Sequence, residues 1–135
     1  MVAWCNGAVG IGLGRLGGLP VLDTPAVRRD IANALETTQV MPLGDADHIC
    51  CGNFGRLDLL AEASRRLGRP ALLDAARRSA CLLVRRAARS GRYGLFAQVP
   101  GVVDSLSLFH GIAGIGYELL RLDQPDKVPC ALLWE

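Results

Sequence analysis

The chain has 135 residues, half of them apolar and 5% aromatic, with fifteen Lys and Arg against thirteen Asp and Glu for a formal net charge of +2. That length suits one modest domain with its own core, and so even a charge balance argues against nucleic acid or an anionic membrane as the main partner. Five cysteines, an odd number with two of them adjacent, argue against a secreted disulfide framework and fit a reducing, cytoplasmic setting.

The opening "MVAWCNGAVGIGLGRLGGLPVL" is apolar, but it lacks a basic leading region, is interrupted by Arg15 and is rich in glycine, so it reads as mature protein rather than an export signal. Within it, "NGAVGIGLGRL" at 6–16 sets a G-x-x-G ahead of an apolar, helix-patterned run. Thr24 and Pro25 then read as the N-cap and first-turn proline of a helix reaching about Thr38. At 51–60, "CGNFGRLDLL" echoes the first string. A further helix is predicted from Pro70 to about Arg89: Leu72, Ala76, Ala80, Leu83 and Ala87 fall on one face, and Asp74, Arg78, Arg85 and Arg89 on the opposite, solvated one.

The segments at 18–25, 39–47 and 91–108 carry the Gly, Pro and Asp punctuation of loops, and "YGLFAQVPGVV" at 93–103 could hold a short extended piece. At 110–122, "HGIAGIGYELLRL" supplies the third copy of the G-x-x-G string, with Tyr117 and Glu118 read as packing and surface residues. No apolar run reaches the roughly 20 residues of a membrane span. Three copies of one pattern, separated by helical segments, predict an all-α array of helix pairs. In each pair one helix starts at a G-x-x-G, where missing side chains permit close backbone approach. Similar turns would then gather at one end, and the residues ahead of each glycine pair would converge there.

Aligned on Gly7, Gly52 and Gly111, the copies put Cys5 and Cys50 two residues before the glycine, and Cys51 and His110 one before it. Soft ligands at repeat-equivalent positions are what a site built between repeats needs. Zinc suits such a set, because it takes thiolate and imidazole ligands in tetrahedral geometry, and three protein ligands leave one position open, as in catalytic sites. The plainer alternative is that these thiols are ordinary small core residues. That reading is applied to Cys81 and Cys130, neither of which precedes a G-x-x-G. His48, two residues before Cys50, could orient a ligand, donate a proton or cap a turn; His110 could face the site or pack against it. Both are kept as candidate catalytic residues.

"WCNGAVGIGLGRL", "HICCGNFGRLDLL", "GIAGIGYELLRL" and the closing "VPCALLWE" together resemble the C-terminal part of the LanC-like cyclase domain of class II lanthipeptide synthetases. The resemblance covers nearly the whole chain, in the family's order. It implies a partial α/α toroid, an incomplete ring of helix pairs in which residues 1–135 form a C-terminal fragment of the cyclase domain. It also implies one Zn2+ held by Cys5, Cys50 and Cys51. Many relatives carry histidine at the third ligand, so Cys51 places the chain with a three-cysteine variant.

The activity implied is addition of a peptide Cys thiol to dehydroalanine or dehydrobutyrine, forming lanthionine and methyllanthionine rings in a precursor peptide. In the family, Asp and His residues used in acid and base work lie upstream of the W-C motif, and a separate dehydratase domain prepares the substrate. The resemblance therefore implies that the upstream cyclase repeats and the dehydratase domain are partners, and that this piece is inactive alone. The alternative function is a non-catalytic module that holds zinc and a thiol peptide.

Overall fold

The structure, a computed structural model, describes residues 1–95 and 105–135. It contains α1 (Ala8–Gly18), α2 (Pro25–Val40), α3 (Asn53–Leu67), α4 (Pro70–Ser90), α5 (Ile112–Asp123) and a short 3-10 turn, Ala131–Leu133. There is no strand among the described residues. The all-α class expected from the repeat is the class observed. α1 packs on α2 and α3 on α4, giving two helix pairs side by side, and α3 lies between α1 and α5. Of the extended piece expected at 93–103, residues 96–103 lie outside the described residues, and Tyr93 to Leu95 are irregular.

Local chemistry sets the ends of these elements. Thr24 caps α2, its Oγ1 accepting from the Val27 N–H at 3.3 Å, with Pro25 in the first turn. The other end of α2 is closed from a distance: the Arg56 guanidinium donates to the carbonyls of Thr38 (3.0 Å), Pro42 (2.7 Å) and Met41. It thereby satisfies acceptors that a helix terminus leaves open. Arg77 does the same for α5, donating to the Leu122 and Asp123 carbonyls at 2.9 and 3.2 Å.

The helix at 70–90 shows the faces expected of it, with Leu72, Ala76, Ala80, Leu83 and Ala87 buried and Asp74, Arg78, Arg85 and Arg89 exposed. Cys81 corrects one expectation: it is exposed, because it falls one residue past Ala80 and so about 100° around the helix from the buried stripe. α3 is the central element, buried at every position from Asn53 to Ser64. One continuous core joins Val9, Leu13 and Leu16, Ile31 and Leu35, Phe54, Leu57 and Leu60, Leu72 and Leu83, and Ile115 and Leu122. Each large aliphatic or aromatic side chain so buried contributes about 1.5–3 kcal/mol. Among the described residues, no helix is long and apolar enough to cross a membrane.

Glu118 provides a second correction. It is 2% exposed rather than on the surface. It lies beside a sealed charge cluster in which Arg121 bonds Asp58 (Nε to Oδ1, 2.6 Å) and Glu62 (Nη2 to Oε2, 2.5 Å). Burial, reinforced by the nearby Asp58 carboxylate, holds the Glu118 carboxyl well above the usual range. The cluster also fixes the C-terminal tail: Arg121 donates to the Val128 carbonyl at 3.0 Å, the buried Cys130 thiol donates to Asp58 Oδ2 at 3.3 Å, and Arg66 pairs with Glu135.

Candidate metal centre

Each G-x-x-G has the same structural job. Gly7, Gly52 and Gly111 immediately precede α1, α3 and α5. A Cβ on Gly10, Gly55 or Gly114 would collide with the carbonyl oxygen of Trp4, Ile49 or Leu108, in each case the residue six positions upstream. The loop ahead of each helix is thus folded down onto the first turn, and only glycine permits that approach. The loops are then stitched together. The Trp4 N–H donates to the Cys50 carbonyl at 2.8 Å, and the Cys50 N–H donates to the Phe109 carbonyl at 3.0 Å.

The loop carrying Cys50 and Cys51 has its own clamp. The buried Asp47 carboxylate accepts from Asn53 Nδ2 (2.9 Å), the Gly94 N–H (2.8 Å) and Arg86, while Asn53 exchanges hydrogen bonds with Gly44 at 2.8 and 2.9 Å. Asn53 ties the loop to the start of α3, Arg86 ties it to α4 and Gly94 to the segment after α4, so the loop is held from three sides.

The consequence is convergence of three thiols. Cys5 Sγ lies 3.1 Å from Cys51 Sγ, and Cys51 Sγ lies 3.5 Å from Cys50 Sγ. All three sulfurs are within 4.8 Å of one another, and they form the one grouping of potential metal-binding side chains among the described residues. A tetrahedral zinc with Zn–S bonds of about 2.3 Å separates its sulfurs by about 3.8 Å. Two of the separations are slightly shorter than that value and the third is within 4.8 Å, so the donor set suits the ion in chemistry and needs only a small expansion in spacing. Cys5 and Cys51 are exposed and Cys50 is buried, which leaves the cluster open to solvent on one side.

Charge on the sulfurs is unevenly distributed. Hydrogen bonds from the Cys51 and Cys50 thiols lower the pKa of Cys5. Burial of the thiol raises Cys50, and burial together with the two neighbouring sulfurs pushes Cys51 up to about 12. A divalent cation would level this difference, because a coordinating thiol is deprotonated outright.

His48 and His110 sit together beside the cluster, their rings edge to face with centroids 5.1 Å apart. His48 is buried, and its Nδ1 accepts from the Cys51 N–H at 3.3 Å, so it caps the ligand-bearing turn. Burial, then the His110 ring, lowers the His48 pKa. The neutral tautomer that suits this bond carries its proton on Nε2. His110, half-buried, stands where the repeat alignment places it, in the loop whose Phe109 carbonyl bonds Cys50.

Three features were not anticipated from sequence. Asp47 and Asn53 are the clamp of the ligand loop, and Asp next to a His–Cys–Cys turn was the available signal. Arg121 answers Asp58 and Glu62, whose spacing of four residues puts both on one face of a helix that is otherwise buried. Trp4, Phe109 and Trp134 make an aromatic group that local pattern does not reveal, since its members are more than a hundred residues apart at the extremes.

A family model described as lanthionine synthetase C-like protein matches residues 1–133. No curated protein and no solved structure matches the chain.

Proposed function

The chain belongs to the lanthionine synthetase C-like family, and from that premise we propose that it is the zinc-bearing part of a cyclase that closes thioether rings in a precursor peptide. The observation that carries the reading is the gathering of Cys5, Cys50 and Cys51 within 4.8 Å, from two loops stitched backbone to backbone. When bound, zinc supplies the Lewis acidity that lowers the pKa of an arriving thiol from about 8.5, so that it is a thiolate at neutral pH.

The protein's own residues do the rest. Cys5, Cys50 and Cys51 would hold the ion and leave it able to take the peptide thiol as a further ligand. The exposed side of Cys5 and Cys51 is where that peptide arrives. Ring closure forms a bond from the peptide sulfur to the β-carbon of dehydroalanine or dehydrobutyrine, and the electron pair of the broken double bond moves onto the α-carbon as an enolate. A general acid then returns a proton to that carbon. His48 and His110 are the groups we assign to hold it, with His48 also fixing the turn through the Cys51 N–H. Upstream cyclase repeats and a dehydratase domain are the proposed partners, the latter supplying the dehydrated residues.

Metal analysis of the purified chain is the test. One zinc per chain is expected, lost in Cys5→Ala and in Cys50→Ala; absence of stoichiometric zinc overturns the reading. Incubation with a dehydrated, Cys-containing peptide separates the two functions. Thioether formation faster than without protein supports the cyclase, and zinc with peptide binding but no acceleration leaves a non-catalytic zinc and thiol-peptide module.

A further inference from the structure

Trp134 is displayed in an unusual way. It is 76% exposed, and it is the one residue other than glycine with a left-handed backbone among the described residues, at φ 62°. Such a conformation is uncommon for a bulky side chain and persists when the surroundings fix it. Here they do. On one side, Trp4 Nε1 donates to the Leu132 carbonyl at 3.0 Å; on the other, Glu135 is paired with Arg66 and Arg65. Trp134 thus combines a wet indole with an anchored backbone.

The ring does not stand alone. Its centroid is 6.1 Å from that of Trp4 and 5.9 Å from that of Phe109, and Trp4 and Phe109 stack at 5.4 Å with planes 10° apart. This aromatic face is built into the thiol end of the molecule. Trp4 directly precedes Cys5, its N–H bonds the Cys50 carbonyl, and the Phe109 carbonyl accepts from the Cys50 N–H. Two of the three rings therefore belong to residues in backbone contact with a cysteine of the cluster.

We propose that Trp134, with Trp4 and Phe109, is a specificity surface that binds an apolar or aromatic side chain of the peptide close to its reacting cysteine. The proposal rests on the thiol-peptide reading above. Trp4 lies one Cα step, about 3.8 Å, from Cys5, and an extended peptide advances about 3.3 Å per residue. A thiol held at the cysteine cluster therefore brings residues roughly two to four positions away over the aromatic face. Offset and edge-to-face geometries are open to a further ring there, since only part of Trp134 is covered.

Calorimetric titration of the zinc-loaded chain tests this, using two short Cys-containing peptides that differ by Phe or Ser three residues from the cysteine. The Phe peptide is expected to bind about tenfold tighter, the scale of one aromatic contact. Trp134→Ala should remove that preference and Trp134→Phe should keep most of it, with zinc content measured alongside. Equal affinity of the wild-type chain for the two peptides overturns the inference, as does a preference that survives Trp134→Ala. A chain that binds no zinc yet retains a Trp134-dependent preference would sink the metal reading and leave the aromatic surface standing.

Discussion

Two clusters of ionisable groups lie along the inner helices, and they are built on opposite logic. Around α3 and α5, Asp58 and Glu62 are sealed from water with their own cation, Arg121, and with Arg65 and Arg66 at the rim. Ahead of α1 and α3, three thiols are drawn equally close, two of them exposed, and their nearest hydrogen-bond partners are each other. The first cluster has its charge balanced internally and acts as a tie between segments more than sixty residues apart. The second gathers acidic groups whose partners are one another, an arrangement that repels itself once ionised and is relieved by an added cation. Proximity alone does not distinguish a brace from a binding site; the presence of an internal counter-charge does.

The strongest test removes that counter-charge. Arg121→Met should destabilise the chain by about 3–5 kcal/mol, because the buried Asp58 loses its cation while Glu62 keeps Arg65 and Arg66. Urea denaturation measures it. Replacing Asp58, Glu62 and Arg121 together by apolar residues should cost far less, as an exchanged buried ion group often does. A small loss in Arg121→Met would erase the contrast between the clusters.

Titration sharpens the same contrast. Burial alone would raise the Glu62 pKa, but hydrogen bonds from Arg65, Arg66 and Arg121 outweigh it and bring it from 4.5 to about 2. A folded-state pKa below the unfolded one contributes stability above pH 4.5 that is lost as pH falls toward 2, here about 3 kcal/mol. Asp58, Glu118 and Glu135 also face this network, so Glu62→Gln is the needed reference. The stability gap between wild type and Glu62→Gln should shrink across that window.

Glycine substitutions give the smallest effects and bear on the thiol end. Gly55→Ala drives a methyl group into the Ile49 carbonyl and should cost about 1–3 kcal/mol while weakening zinc binding. Gly14→Ala, inside α1 with nothing within 4 Å of the new methyl, should instead stabilise the chain by about 0.5–1 kcal/mol. Thermal melts separate the two. Equal responses would mean that the G-x-x-G turns hold no special geometry.

Much of this architecture was legible in the sequence, and for identifiable reasons. The threefold G-x-x-G string marks positions where backbone meets backbone, so it located the starts of α1, α3 and α5 and the convergence of Cys5 with Cys50 and Cys51. Thr24 with Pro25, and the stripe from Leu72 to Ala87, are local signals and gave helices whose observed ends differ by one or two residues. Cys81 was misjudged by residue type when its own helix periodicity already excluded it from the buried face.

Glu118 was misjudged for the converse reason. It shares a face with Gly114, Ile115 and Leu122, yet burying a carboxyl there depends on neighbours on α3 that local pattern does not reveal. Neither the Arg121 network nor the Trp4, Phe109 and Trp134 group has a short-range signature. Both are products of tertiary packing.

The three helices that begin at the G-x-x-G turns share one further property. At Gly7, Gly52 and Gly111 no side chain caps the helix, and none of the three first turns carries an acidic residue. The first-turn N–H groups are met instead by loop carbonyls: Ala8 by Met1, Asn53 and Phe54 by Ala46 and Asp47, and Ile112 by Ser105. Each loop is thereby hung on the free donors at the start of the helix it precedes, so the sulfur-bearing backbone is positioned by its own helix.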